Sequence, residues 1–171
     1  AASHVDGNII VAGIRTVNPG GTFAVAQRVD TAGHPIWQPP FAVVSDTGGI
    51  FSDVSLSLNG DAGATFAWTK QVNTNRRRTF TQRLRSDGIV VFQQGGIDIS
   101  TVDSSYNWLS GIVESSQGSK LYFLTERTNA GLIAARRIDS AGNGQWGDSD
   151  VVVSIPALGF AHIATDQKGG A

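Results

Sequence analysis

Three arginines stand at matching places along the chain, Arg28, Arg83 and Arg137, and each precedes an apolar residue, Val29, Leu84 or Ile138. On a strand, consecutive side chains point to opposite faces, so each guanidinium faces away from its apolar neighbour. An arginine enclosed there needs a carboxylate or the carbonyls of an adjacent element. Asp30 and Asp139, two residues further on and on the same face, could serve. A guanidinium fork also suits a ligand carboxylate or a pair of sugar hydroxyls. Trp37, Phe92 and Trp146 follow nine residues after the arginines. They could form a platform on which sugar rings stack, or pack between neighbouring elements. Trp108 has no aromatic at its repeat-equivalent places, where Asp53 and His162 stand, and reads as an individual exposed contact. Arg28, Arg83, Arg137, Trp37, Phe92, Trp146 and Trp108 form the candidate ligand-binding set.

Other chemistries lack their residues. The chain contains no cysteine, which excludes disulfides, thiolate metal sites and cysteine nucleophiles. His4, His34 and His162 have no metal-ligand spacing, although His4 and His162 could approach one another where the chain ends meet. The carboxylates are scattered over turns, and no Gly-x-Ser-x-Gly elbow occurs. The expectation is therefore no catalytic residue, no metal, no cofactor and no enzymatic activity. Thirteen Lys and Arg against fourteen Asp and Glu give a net charge of −1, which offers nucleic acid no electrostatic footprint. Arg76, Arg77 and Arg78 read as a solvated loop rather than an anion grip. No apolar run reaches the length of a membrane-spanning helix. Met is absent even at position 1, so the chain is expected to be a processed or excised product, and no signal peptide is visible.

The candidate residues recur because the chain repeats. Residues 26–37, 81–92 and 135–146 align at offsets of 55 and 54, and the register carries on through Ser45, Ser100 and Ser154 and through Phe51, Tyr106 and Phe160. Each unit reads as four short strands. In the second they are expected at 52–58, 64–70, 77–85 and 89–93, from alternating apolar residues bounded by turn clusters. Asp30-Thr31-Ala32-Gly33 and Asp139-Ser140-Ala141-Gly142 predict a type I turn closed by a left-handed glycine. Arg85 replaces the Asp in the second unit, which makes the Asp optional and the Gly essential.

Four-stranded units of this length are the mark of propeller blades. Phe66-Ala67-Trp68, Gln82-Arg83-Leu84 and Gly88 resemble blade repeats of large secreted bacterial proteins and adhesins. That resemblance implies an all-β propeller in an extracellular setting. The plan is similar to that of oligomeric propeller lectins. Blade units are expected over 8–58, 63–113 and 118–165. A β-trefoil, which closes three four-stranded repeats within one chain, is the alternative. Three blades cannot close a ring, and the chain is cut inside a unit. The N-terminal blade should lack its inner strand, and residues 159–165 should supply it to a second copy, giving a six-bladed homodimer. The function expected is non-enzymatic glycan binding through repeated inter-blade pockets. A structural or adhesive scaffold, or a fragment of a larger propeller, is the alternative.

Overall fold

The computed structural model describes residues 2–3, 6–19, 21–38, 42–43, 51–100, 107–114, 120–126, 132–147, 151–154 and 162–164. They form twelve strands: β1 (Ala2–Ser3), β2 (Ile9–Val17), β3 (Gly21–Val29), β4 (Ala42–Val43), β5 (Phe51–Leu58), β6 (Ala64–Asn73), β7 (Arg76–Leu84), β8 (Ile97–Asp98), β9 (Asn107–Glu114), β10 (Lys120–Glu126), β11 (Leu132–Ile138) and β12 (Val151–Ser154). Hydrogen bonding groups them into three separate antiparallel meanders, β1 to β4, β5 to β8 and β9 to β12. One sheet per repeat is blade topology, whereas a trefoil would merge strands of different repeats into a common barrel. The first strands, β1, β5 and β9, pack on one another in sequence. They line the inside of the arc, and β4, β8 and β12 lie at its rim.

The middle blade shows why the strands do not alternate simply between core and water. Ala64 to Thr69 of β6 are buried without a break. Ala64, Phe66 and Trp68 join Leu84 in a core shared with Ile10, Ala24, Ala26 and Trp37 of the first blade. Ala67 points the other way, into a second core with Ile99, Leu109, Ile112 and Ile138. Each large apolar side chain so buried contributes about 1.5–3 kcal/mol. Trp68 stacks on Phe80, with ring centroids 6.2 Å apart.

Two strand expectations need correction. The fourth strand of the second unit is β8, not residues 89–93. After Gly88 the returning chain makes one bridge, Leu84 to Val90. The side chain of Gln82 then replaces the ladder: the N–H of Phe92 donates to its Oε1 at 2.9 Å, and its Nε2 donates to the carbonyl of Gln93 at 3.0 Å. Gln27 treats Trp37 in the same way in the first unit. The N-terminal blade, for its part, has a two-residue inner strand. Ala2 pairs with Ile10 and Ser3 with Ile9, at the end of β2 nearest the turn.

Candidate functional site

The arginine and tryptophan positions meet at the seams between blades. Arg28 pairs with Asp6 of its own blade and donates to the carbonyls of Ala62 and Ser86 in the next, at 3.4 and 3.5 Å. Arg83 repeats the arrangement with Asp61 at 2.7 Å and the Ser140 carbonyl at 3.2 Å. The carboxylates thus come from the turn between first and second strands, not from Asp30 and Asp139. Those two instead accept backbone N–H groups of their own hairpins, from Ala32 and His34 and from Ala141 and Asn143. The hairpins have the expected form, and Arg85 forms the same turn without the Asp. Burial opposes ionisation of Asp61, but the Gly63 N–H and the Arg83 guanidinium prevail and hold its carboxyl below the usual aspartate range.

Trp37 is no exposed platform. It is 2% exposed, its indole N–H donates to the Ser86 carbonyl at 2.8 Å, and its Cβ, Cγ and Cδ1 abut Gly88. A Cβ on Gly88 would come within 2.6 Å of Trp37 Cγ, so the residue at that place must be glycine. Phe92 is half-buried and reaches Gly142 at the next seam more loosely, with 3.4 Å between its Cε1 and an added Cβ, while Ile97 Cδ1 makes the close approach there. Trp146, the third of the series, is 41% exposed. Trp108 is half-buried rather than exposed, and the Arg77 guanidinium stacks over its ring 4.1 Å from the centroid. Of the other two adjacent arginines, Arg78 pairs with Asp98 at 3.0 Å. His4 lies outside the described residues, so its approach to His162 does too.

A different set of repeat-equivalent residues begins with Asp53, toward the end of β5 away from the turn that carries Asp61. Asp53 lies on β5 where the register with β6 shifts between Ser52 and Ser55. It is exposed, adopts a left-handed backbone at φ 57°, and makes no ion pair or side-chain hydrogen bond among the described residues. Bulges and left-handed non-glycine residues concentrate at functional sites, where they aim a side chain off the ladder. The places equivalent to Asp53 carry Trp108 on β9 and His162. One repeat position therefore bears a carboxylate on β5, an indole backed by Arg77 on β9, and the imidazole of His162, while the following residues Val54, Leu109 and Ile163 are apolar. The offset comparison alone showed this divergence. What it lacked was the inner position of the strands and the backbone twist at Asp53. Among the described residues no group of His, Asp and Glu is arranged to hold a metal ion.

No protein-family model and no curated protein matches the chain. Two solved structures are similar in fold. The endo-arabinase from Bacteroides thetaiotaomicron VPI-5482 matches 97% of this chain and 65% of its own, with a TM-score of 0.55 and 13% identity. A thermostable family-43 glycoside hydrolase matches 80% of this chain and 54% of its own, with a TM-score of 0.41 and 14% identity. The chain spans 65% of the length of the endo-arabinase chain it matches. At this identity the likeness is one of fold: an all-β architecture distantly related to the β-propellers of glycoside hydrolases. The solved fold it resembles is that of a hydrolase, which corrects the expected resemblance to adhesin blades and propeller lectins. The non-enzymatic, lectin-like or adhesive assignment falls with it, as does the expectation of no enzymatic activity.

Proposed function

We propose that this chain is a hydrolytic propeller that cleaves glycosidic bonds at one mouth of its central channel, with Asp53 as the general base. The observation that carries this reading is Asp53 itself: an exposed carboxylate on an inner strand, held off the ladder by a bulge in a left-handed conformation. Trp108, fixed by Arg77, provides an apolar wall suited to a sugar ring, and His162 adds a donor. Hydrolysis by two carboxyl groups requires them roughly 5 to 10 Å apart. Glu114, the other acidic residue on the described inner strands, is six register positions away, about 20 Å at the rise of a strand, so it is not the partner. Asp46 and Asp103 precede β5 and β9 in sequence and lie outside the described residues, and the same assay extends to their Asn variants. A second copy completes the ring to six blades, and the setting is extracellular.

The test is release of aryl alcohol or reducing sugar from a panel of aryl glycosides, arabinosides included, and from linear arabinan. Asp53→Asn should lower kcat at least about 100-fold, the usual range for loss of a general base. Its stability should match the parent's, because Asn tolerates the left-handed region. Asp53→Ala should lose activity and about 1 kcal/mol of stability as well. A folded parent protein that turns over no member of the panel, or an Asp53→Asn variant as active as the parent, retires the assignment.

A further inference from the structure

The seam between the second and third blades encloses polar groups at a place where the other blades have none. Thr69 on β6 and Thr79 on β7 stand directly opposite one another. The backbone of Thr79 turns away from β6: its N–H donates to the Ser100 hydroxyl at 2.7 Å, and its carbonyl accepts the Ile99 N–H at 2.9 Å. The rung is therefore a non-hydrogen-bonded one, the kind that sets facing side chains closest. Both threonines are 0% exposed, and neither hydroxyl has a hydrogen-bond partner among the described residues.

The same rung is apolar in the other two blades. Ile14 stands opposite Ala24 in the first and Leu124 opposite Ala134 in the third, each residue 55 positions from its threonine counterpart. The repeat can thus build this rung from an aliphatic residue and an alanine, and a buried hydroxyl left unsatisfied there costs free energy.

The covering strand adds a third such group. Thr69 lies on the same face of β6 as Ala67, which packs into a core with Leu109 and Ile112 of β9. That strand rests on β5, β6 and β7. Arg77, two residues before Thr79 on the same face of β7, carries its guanidinium over the Trp108 ring of β9 at 4.1 Å. The indole N–H of Trp108 is buried, and it too has no partner among the described residues. On its other side Thr69 pairs with Ser52, the residue before Asp53, so the rung lies level with the bulge of β5.

Two hydroxyls that can donate and accept, together with an N–H that only donates, are the complement of a water molecule. Water accepts from the indole and from one hydroxyl, and donates to the other. Polar groups buried this deeply are almost always paired, with protein or with ordered water. We infer that Thr69, Thr79 and Trp108 hold an ordered water in the seam between the second and third blades. The inference stands apart from the hydrolytic reading.

Two measurements on the whole chain test it. With water bound, Thr69→Val and Thr79→Val each remove a hydrogen bond, and each should lower the urea midpoint by about 0.5 M. The double variant should fall by less than the two single drops together, because the first substitution already releases the water. A dry seam gives the opposite sign, since valine then replaces an unsatisfied hydroxyl with a methyl of similar shape, and a raised midpoint in either single variant overturns the site. The second measurement uses Thr69→Ile combined with Thr79→Ala, which installs the first blade's rung and should leave the far-UV circular dichroism spectrum unchanged. Magnetic relaxation dispersion of the solvent should count one fewer long-lived water in that variant than in the parent. Equal dispersion amplitudes overturn the inference. So does a site that takes up bromide in crystals, seen by bromine anomalous scattering, which would make the occupant an anion. No readout uses turnover, so failure of the hydrolytic reading is separately visible.

Discussion

Ala62 and Gly7 occupy the same turn one repeat apart, and both have a left-handed backbone, at φ 61° and 81°. Alanine pays for that conformation in contact between its Cβ and the following carbonyl, at a cost of about 1–2 kcal/mol that glycine avoids. Part of the difference is returned as the greater freedom of glycine in the unfolded chain. Ala62→Gly should therefore raise the free energy of unfolding by about 0.5–1 kcal/mol in urea titrations, with the Ala62 carbonyl still free to accept Arg28. Asp61, beside it, sets an acid limit. Its carboxyl titrates below the ordinary range in the folded chain, so between the ordinary aspartate value of about 3.9 and the lower folded value the unfolded chain binds more protons. Its stabilising contribution is complete above that window and is lost as pH falls through it. The urea midpoint should drop on acidification below about pH 4, and Asp61→Asn should reduce the drop. Asp30 and Asp139, also depressed, by the backbone N–H of His34 and by the Asn143 side chain respectively, act in the same direction.

Blades are held together by faces whose burial depends on having a neighbour. Trp37 and Trp146 have the same residue type, the same hairpin and the same register, yet one is 2% exposed and the other 41%. Trp37→Ala should cost about 3–5 kcal/mol, the range for emptying a buried aromatic site. Trp146→Ala, measured on monomeric protein, should change stability by less than about 0.5 kcal/mol, as at an open surface. Urea unfolding of the two variants reads that contrast directly. The Gln27 and Gln82 amides work at the same scale. Each replaces a missing stretch of ladder, which is why the segment after the hairpin bends away toward the rim and is no continuous strand.

For the whole molecule, the two ends of the inner strands differ in what they carry. The Arg28 and Arg83 pairs clamp the blades at one end of the inner strands, and Asp53, Trp108 and His162 share a register position toward the other. A scaffold tied together at one mouth can leave unpaired groups at the opposite mouth for a substrate.

Repeat spacing, the four strands per unit, the hairpins with their essential glycine and the all-β class were legible in the chain, because periodic apolar residues and turn chemistry act locally. Which side chains are buried was not, because blade neighbours lie about 55 residues apart and only the packed sheets bring Trp37 onto Gly88 or Arg28 onto Ala62 and Ser86. The arginines and aromatics drew notice as candidate ligand contacts because repetition marks them, and repetition marks the seam chemistry equally. Asp53 stood in plain view at the offset of Trp108, but a lone aspartate among small residues carries no pattern. Its inner strand, its bulge and its left-handed backbone exist only once β5 is paired with β6 and packed against β9, so the tertiary structure alone sets that carboxylate apart.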